Sequence, residues 1–407
     1  MKKHTGTLYW SLSLLAATAL FARPHPAGAQ EPLDDRVASI VKTEILAQGV
    51  PGASVAVLRD GRMLLERAWG LANIDTNVSA SAATTHPVGS VSKQFTAALL
   101  LRQVDRGRLA LRDPIGRHLA GLTPEAGAMP IEQLLNHTSG LQRSVVDPER
   151  RFENLPVETL LAMAVRDNPA ASPSTTFEYS NAGYTVLGVL VEKLYGKSYG
   201  AALHDEIAAP LGLTTLTKCA EPKPNQAAGY SRGAGAKPGP PPGIHHSQSL
   251  GADGICATAG DLVRWTHALH SGRVLSDASY QAMTRPRGAA ITVSYGFGLS
   301  VATAPWGHRA IVHGGQSLTG HTAELNWCPE HKVAVALLYN AGPRVPAVSD
   351  LIPRIVLGVP LSERNGNIYA LGTSYSTTTL TFTIENGAVT GFEANANGSK
   401  RILKKIK

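Results

Sequence analysis

Ser90-Val91-Ser92-Lys93 decides the fold of this chain, together with two motifs that follow it in order, Tyr179-Ser180-Asn181 and His313-Gly314-Gly315. A serine and a lysine three residues apart lie one turn from each other on the same face of a helix. A tyrosine and an asparagine two residues apart in a loop offer a proton-transfer group and an amide together. A glycine-rich strand edge lets a substrate backbone lie close. The ordered set predicts acyl transfer through a covalent intermediate on the serine.

The same order, S-x-x-K then Y-x-N then H-x-G, resembles the serine β-lactamase and penicillin-recognising hydrolase superfamily. Within it, the chain is most similar to class C β-lactamases, serine D,D-carboxypeptidases and related esterases. Three further stretches fit this superfamily: residues 134–141, residues 181–184 and residues 258–262. The resemblance spans roughly residues 34–345. It implies a β-lactamase/transpeptidase-like α+β fold, in which helices flank an antiparallel β-sheet and an α-rich lobe adjoins it, with the site in the cleft between them.

The resemblance also implies roles for the catalytic residues. Ser90 would be the nucleophile, and Lys93 can serve as its base if the amine is desolvated. Tyr179 would relay protons to and from Ser90 and the leaving group. The oxyanion hole would consist of the backbone N–H groups of Ser90 and Gln316. Such a donor is typically worth about 3–4 kcal/mol in the transition state.

By the same resemblance, Asn181 would bind the substrate by orienting an amide. The strand that carries His313, Gly314 and Gly315 would also bind the substrate. Many superfamily members have Lys-Thr-Gly at the third motif, where the lysine and the threonine help to hold a substrate carboxylate. A histidine is mostly neutral at neutral pH. We therefore expect weaker carboxylate capture, poor β-lactam hydrolysis, and a substrate choice that depends on pH through His313.

A second S-x-x-K, Ser39-Ile40-Val41-Lys42, lies inside an amphipathic run at residues 33–46 that predicts a helix. A serine in the middle of that helix has no turn to expose it. Ser90 instead follows the turn signal His86-Pro87-Val88-Gly89 and opens a new apolar helix. The context favours Ser90 as the nucleophile.

Residues 196–200, Gly-Lys-Ser-Tyr-Gly, match the G-x-S-x-G elbow of α/β-hydrolases. That elbow requires a buried strand before the serine, whereas residues 181–195 have a helical pattern. The interpretation of Gly196 as a helix C-cap is therefore favoured. His137, in the His-Thr-Ser-Gly turn, is interpreted as a structural residue.

Along the chain, the pattern predicts a first helix, a hairpin around Asp60-Gly61, a helix from Ser90, a mostly helical insert at about residues 108–250, and then strands. The late strands are predicted at residues 295–301, 310–312, 323–327 and 333–339, followed by a short apolar helix near residues 348–357. Residues 363–407 alternate and are rich in threonine, which predicts a short β-rich C-terminal segment of about four strands.

The N-terminus has the pattern of a bacterial signal peptide over residues 1–29, with basic residues first, an apolar stretch at residues 8–21 and an A-x-A site before Gln30. The hydrolase domain would then be residues 30–362. The chain of 407 residues has a net charge of +8, part of which lies in the leader. We expect a periplasmic or secreted protein that binds a small molecule or peptide, with no nucleic-acid partner and no stable membrane span after cleavage. The sequence leaves the oligomeric state open.

The cysteines are Cys219, Cys256 and Cys328, and their spacing fits no zinc or redox pattern. At most one disulfide can form, and the sequence leaves the pairing open. His245-His246 is more typical of a loop than of a metal site. The chain contains neither an H-E-x-x-H motif nor a phosphate-binding glycine-rich loop, so we expect no metal and no other cofactor.

Three functions remain open at this stage. The favoured one is a serine hydrolase that acts through an acyl-enzyme on D-amino-acid peptides, esters or β-lactams. One alternative is a true β-lactamase. The other is a penicillin-binding module that is acylated without turnover, as in penicillin sensors, although such a sensor would need a transmembrane segment to signal.

Overall fold

The computed structural model describes residues 32–144, 146–166, 175–219, 225–232, 238–304, 306–345 and 348–359, and the backbone of four strands between residues 368 and 404. The helices are α1 Leu33–Ile40, α2 Ser92–Asp105, α3 Pro124–Gly127, α4 Ile131–Leu135, α5 Val157–Val165, α6 Asn181–Tyr195, α7 Tyr199–Leu203, α8 Ala209–Leu211, α9 Ala259–His270, α10 Asp277–Thr284 and α11 Val348–Val356. The first strands are β1 Gly52–Arg59, β2 Arg62–Asn73, β3 Val78–Ser79, β4 His86–Pro87, β5 Thr217–Lys218, β6 Tyr230–Ser231, β7 Ile255–Ala257 and β8 Ser300–Thr303. The later strands are β9 Arg309–Ser317, β10 His321–Cys328, β11 Val333–Tyr339, β12 Ala341–Gly342, β13 Ile368–Thr373, β14 Ser376–Glu385, β15 Ala388–Ala396 and β16 Ser399–Lys404.

The main sheet has seven antiparallel strands in the order β3-β2-β1-β11-β10-β9-β8. At its centre, β1 of the N-terminal hairpin pairs with β11, from Ala53 opposite Tyr339 to Arg59 opposite Val333. The predicted antiparallel sheet is confirmed. The third motif lies on β9, two strands from the centre.

Both faces of this sheet are covered by helices. Ala56 and Leu58 of β1 belong to one apolar core, whereas Val55 and Val57 belong to the other, as expected when alternate side chains point to opposite faces. Helices α2, α6 and α9 contribute to the first core, and α1 and α11 contribute to the second. Because strands covered on both sides must be apolar on both sides, β1 and β11 are near-continuous hydrophobic runs.

The α-rich part, α3 to α8, falls within the predicted insert and ends before β7. Helix α6 begins after Ser180, whose hydroxyl accepts a hydrogen bond from the backbone N–H of Gly183 at 2.9 Å. It ends at Gly196, which has a left-handed φ of 64°. The C-cap interpretation of Gly196 is confirmed, and Ser198 is the N-cap of α7 rather than a nucleophile on an elbow.

One predicted strand is wrong. Residues 295–301 were expected to be extended, but β8 begins only at Ser300. The preceding residues form a turn in which the N–H of Gly296 donates to the carbonyl of Leu299 at 2.8 Å. Tyr295 is buried there and its hydroxyl lies 2.9 Å from Nε2 of His313. Apolar alternation alone does not distinguish a buried turn from a strand.

The disulfide joins Cys219 and Cys256, next to the pairing of β5 with β7, and Cys328 is a buried free thiol. Strands β13 to β16 form a four-stranded antiparallel sheet, as predicted for the C-terminal segment. The predicted signal peptide lies outside the described residues, and the domain boundary at residue 362 stays a prediction. No helix in the described part of the chain is long and apolar enough to cross a membrane.

Candidate active site

The first two motifs meet at the start of α2. Ser90 lies in a single 3-10 turn, Gly89–Val91, that leads directly into the helix. Nζ of Lys93 lies 3.0 Å from Oγ of Ser90 and 2.8 Å from Oδ1 of Asn181, the first residue of α6. The packing of α2 against α6 therefore brings together residues that are 88 positions apart in the chain.

Lys93 has a third partner, the backbone carbonyl of Ala252, at 2.8 Å. A carbonyl and an amide oxygen can only accept, so they take two hydrogens of the amine. The Ser90 hydroxyl can accept the third hydrogen of an ammonium or donate to the lone pair of a neutral amine. Both protonation states of Lys93 are thus fully hydrogen-bonded without any rearrangement, which is the arrangement that a proton acceptor for Ser90 requires.

The electrostatics favour the neutral amine. The side chain of Lys93 is fully buried, and burial lowers its pKa from 10.5 to about 7. The carboxylate of Asp253 acts in the opposite direction, and the guanidinium of Arg143 adds to the lowering. The condition set by the sequence, a desolvated lysine, is met.

Tyr179 is hydrogen-bonded to the Ser90 hydroxyl. Burial raises the pKa of Tyr179 well above its usual value, so the phenol keeps its proton at neutral pH. Nζ of Lys93 lies 4.9 Å from the centre of the Tyr179 ring, and the Arg143 guanidinium lies 5.6 Å from the same centre. Tyr179 is therefore able to donate a proton beside Ser90, while Lys93 is able to accept one.

His137 holds this tyrosine from behind. Its ring lies 4.2 Å from that of Tyr179, centre to centre, and its Nδ1 accepts the backbone N–H of Ser180 at 3.0 Å. Its Nε2 lies 3.3 Å from the hydroxyl of Tyr295. Burial lowers the pKa of His137 well below 6.5, so the ring is neutral. These contacts agree with the structural role expected for His137.

The expectation that His313 titrates near neutral pH is wrong. Its ring is 1% exposed, with Nε2 against the hydroxyl of Tyr295 and Nδ1 2.7 Å from the carbonyl oxygen of Gly314. Burial lowers its pKa to about 3, and the charge of Lys93 adds to the effect. His313, Tyr295 and His137 form a hydrogen-bonded series of uncharged rings. In this position His313 supports its strand and does not present a cation.

The glycines of two segments let the backbones at Ser90 and at the third motif touch. A Cβ on Gly315 would lie 2.0 Å from the carbonyl oxygen of Val88, and a Cβ on Gly89 would lie 2.7 Å from the backbone nitrogen of Gln316. Gly89 also has a left-handed φ of 55°. This contact brings the N–H groups of Ser90 and Gln316, the expected oxyanion donors, to one place. Gly314 pairs with Glu324 of β10, and the carboxylate of Glu324 forms an ion pair with Arg344.

A cavity of about 510 Å³ opens onto Ser90, with Asn181 and Gln316 also in its wall. A second cavity of about 690 Å³ adjoins it. Asp253 lines both cavities, and Arg143 lines the first. Among the described residues, no group of three histidine, cysteine, aspartate or glutamate side chains is placed to hold a metal ion.

Sequence reasoning missed three contributors to this site, the carbonyl of Ala252, the carboxylate of Asp253 and the guanidinium of Arg143. A signal existed for one of them. Asp253 is a lone acid within the apolar, glycine-rich stretch at residues 250–256, and an acid in such a stretch is seldom there for solubility. Arg143 lies in a polar loop, where an arginine carries no such signal.

The chain is similar to known proteins over most of its length. A family model described as Beta-lactamase matches residues 33–359. D-aminopeptidase of Brucella anthropi is 29% identical over 323 residues, which cover 77% of this chain and 60% of that protein. The chain thus spans less than two thirds of the length of this relative.

Solved structures resemble the chain over a similar extent. D-amino acid amidase from Ochrobactrum anthropi SV3, solved with L-phenylalanine amide, has a TM-score of 0.64 at 25% identity and covers 77% of this chain and 92% of its own. The octameric penicillin-binding protein homologue from Pyrococcus abyssi has a TM-score of 0.70 at 20% identity, covering 92% of this chain and 99% of its own. With the fold, the ordered motifs and the family match in agreement, the chain belongs to the Beta-lactamase family.

Proposed function

We propose that this protein is a serine hydrolase that forms an acyl-enzyme on Ser90 and takes D-amino-acid amides and short D-amino-acid peptides as substrates. The observation that carries the proposal is the buried amine of Lys93, whose three partners include the Ser90 hydroxyl at 3.0 Å. The D-aminopeptidase and D-amino acid amidase relatives supply the substrate class.

In the acylation step, Oγ of Ser90 attacks the amide carbon while its proton passes to the neutral Nζ of Lys93. The carbonyl oxygen becomes an oxyanion, which the N–H groups of Ser90 and Gln316 stabilise. Asn181 would hold the substrate amide while it also fixes Lys93. The C–N bond then breaks as the phenol of Tyr179 gives its proton to the leaving nitrogen.

Lys93 returns its proton to the tyrosinate, so Tyr179 and Lys93 end the step as they began it. Deacylation repeats the sequence with water as the nucleophile. Its proton goes to Lys93, the oxyanion forms again, and Ser90 leaves with a proton from Tyr179. The second step releases the carboxylic acid and restores the serine.

Two alternative functions fit the site less well. Efficient β-lactam turnover would benefit from a cation at the third motif to hold the substrate carboxylate, and burial keeps His313 neutral there. An acylated sensor would retain its acyl group, whereas the hydrogen bonds around Lys93 serve both halves of a turnover cycle. Ester hydrolysis uses the same groups and an easier leaving group, so we expect it as a side activity.

We also propose that the chain is exported and processed before Gln30, and that the hydrolase domain extends to about residue 362. The support is the leader pattern at residues 1–29 and the disulfide between Cys219 and Cys256, since disulfides persist in oxidising compartments. N-terminal sequencing of the protein from a periplasmic fraction tests the cleavage site.

The decisive experiment combines labelling and turnover. Mass spectrometry after reaction with a fluorophosphonate should place the adduct on Ser90, and the mature protein should hydrolyse D-phenylalanine p-nitroanilide faster than nitrocefin. Tyr179→Phe should retain slow labelling but lower amide turnover at least about 100-fold, since the leaving nitrogen loses its proton donor. An adduct on Ser39 or Ser198, or nitrocefin as the best substrate, would contradict the proposal.

A further inference from the structure

A carboxylate stands in the wall between the two cavities. Asp253 lines both the cavity that holds Ser90 and the larger one beside it, and its side chain is half-buried. The residue before it, Ala252, gives its carbonyl to Lys93 at 2.8 Å. Asp253 thus directly follows the residue whose backbone carbonyl holds Lys93.

This carboxylate is hydrogen-bonded but has no ion pair. It accepts the backbone N–H of Gly254 and the hydroxyl of Ser317. Among the residues that the structure describes, no lysine, arginine or histidine nitrogen lies within salt-bridge distance of it. Burial raises the pKa of Asp253, whereas its two hydrogen-bond donors and the charges of Lys93 and Lys218, which lie beyond ion-pair distance, favour the carboxylate. A cationic group that enters the cavity would form an ion pair with this carboxylate.

We infer that Asp253 binds the α-ammonium group of the acyl donor, so that the enzyme selects substrates with a free amino terminus over N-acylated ones. The inference rests on the proposed function and deepens it. An α-ammonium lies one carbon from the carbonyl that Ser90 attacks, and Asp253 lies in the wall of the cavity where that carbonyl must sit. The pairing of ammonium with carboxylate replaces the water that Asp253 loses by burial.

The apolar parts of the same cavities suit a hydrophobic side chain on that amino acid. Leu318, 40% exposed, lines the cavity of Ser90, and Phe152, 63% exposed, lines the adjoining one. Ile244 lines both cavities. An aromatic D-amino acid is therefore a suitable probe, because its ring and its ammonium can be contacted at the same time.

The test uses D-phenylalanine p-nitroanilide, its N-acetyl derivative and the neutral ester p-nitrophenyl butyrate. Wild type should prefer the free amine to the N-acetyl compound. Asp253→Asn keeps the size of the side chain and should lower that preference about 30-fold, mainly through KM, as expected for the loss of one charge-assisted hydrogen bond. Asp35→Asn removes an exposed carboxylate from α1 and should leave the preference unchanged.

Each other result is informative. An equal loss of Asp253→Asn on all three substrates would mean that the carboxylate acts through Lys93, and would overturn the inference. Equal rates of wild type on the free and N-acetylated anilides would also overturn it. Failure of every substrate together with failure of fluorophosphonate labelling would refute the proposed function itself. If Asp253→Asn does not fold, wild-type inhibition by D-phenylalaninol against N-acetyl-D-phenylalaninol decides the question, and equal inhibition counts against Asp253.

Discussion

The chain contains the sequence S-x-x-K twice, and the two copies differ in burial and in hydrogen bonding. Ser39 and Lys42 lie on the exposed side of the N-terminal helical segment, and the Ser39 carbonyl accepts a hydrogen bond from Thr43 within that segment. Ser90 precedes α2 in a 3-10 turn, and Lys93 is fully buried with three oxygen partners. We expect the motif to be reactive only where the fold removes water from the lysine and exposes the serine to a cavity.

The comparison teaches that burial creates reactivity here. An exposed ammonium keeps its proton at neutral pH, whereas burial lowers the pKa of a lysine and favours release of the proton. Because α6 and the stretch before β7 supply the oxygens that hold Lys93, the base depends on contacts that are distant in sequence.

Replacing the two serines should separate the copies most clearly. Ser90→Ala should lower amide turnover at least about 10⁴-fold, because the covalent route is lost and only binding and the oxyanion donors remain. Ser39→Ala should leave turnover within about twofold, as expected for an exposed surface position. Steady-state rates on D-phenylalanine p-nitroanilide, with circular dichroism to verify folding, measure both. Comparable losses in the two variants would remove the distinction.

The lysines should differ in rate and in pH dependence. Lys93→Met should lower kcat/KM at least about 100-fold, and Lys42→Met should have little effect. Lys93 must be neutral to accept the proton of Ser90, and burial lowers its pKa from 10.5 to about 7. Wild-type kcat/KM should therefore fall as the pH drops below about 7. An acid limb that persists unchanged in Lys93→Met would assign it to another group.

A charge placed at the buried position of His313 should lower the stability of the protein, because burial disfavours charged side chains. His313→Lys should lower the free energy of unfolding by at least about 2 kcal/mol, since it introduces an ammonium next to Tyr295 and near Lys93. His204→Lys, at an exposed position of 67% side-chain accessibility, is the matched control and should be nearly neutral. Urea denaturation at pH 7 compares them. A stable His313→Lys that gains activity on carboxylate substrates would restore the carboxylate-binding interpretation.

The smallest effect concerns the G-x-S-x-G sequence. Ser198 caps α7 by accepting the N–H of Ala201 at 3.3 Å. Ser198→Ala should cost about 0.5–1 kcal/mol of stability, typical of a lost N-cap, with unchanged turnover. Thermal unfolding and the anilide assay measure the two quantities, and a loss of activity without a loss of stability would give Ser198 a role that its position does not suggest.

The sequence was sufficient for most of the main sheet and for the residues that meet around Ser90. The run at residues 333–339 is β11 as predicted, because strands buried on both faces must be continuously apolar. The motif order identified the residues that meet: the first two motifs lie at the starts of α2 and α6, and the third lies within β9. In contrast, burial lowers the pKa of His313, and one of the side chains that contact it, Tyr295, comes from a turn that apolar alternation does not distinguish from a strand. Asp253 likewise gains meaning only from the two cavities around it.

The contact between Gly89 and Gly315 has a consequence for how such an enzyme can change. A Cβ at either position would collide with the backbone of the opposite segment, at 2.0 Å in one case and 2.7 Å in the other. The spacing of the proposed oxyanion donors, the N–H groups of Ser90 and Gln316, is therefore set by the two backbones and not by any side chain. Substitutions that alter substrate choice are therefore expected in the cavity walls, at positions such as Leu318 and Ile244. New substrates would be acquired there, while the geometry of the reaction is inherited unchanged.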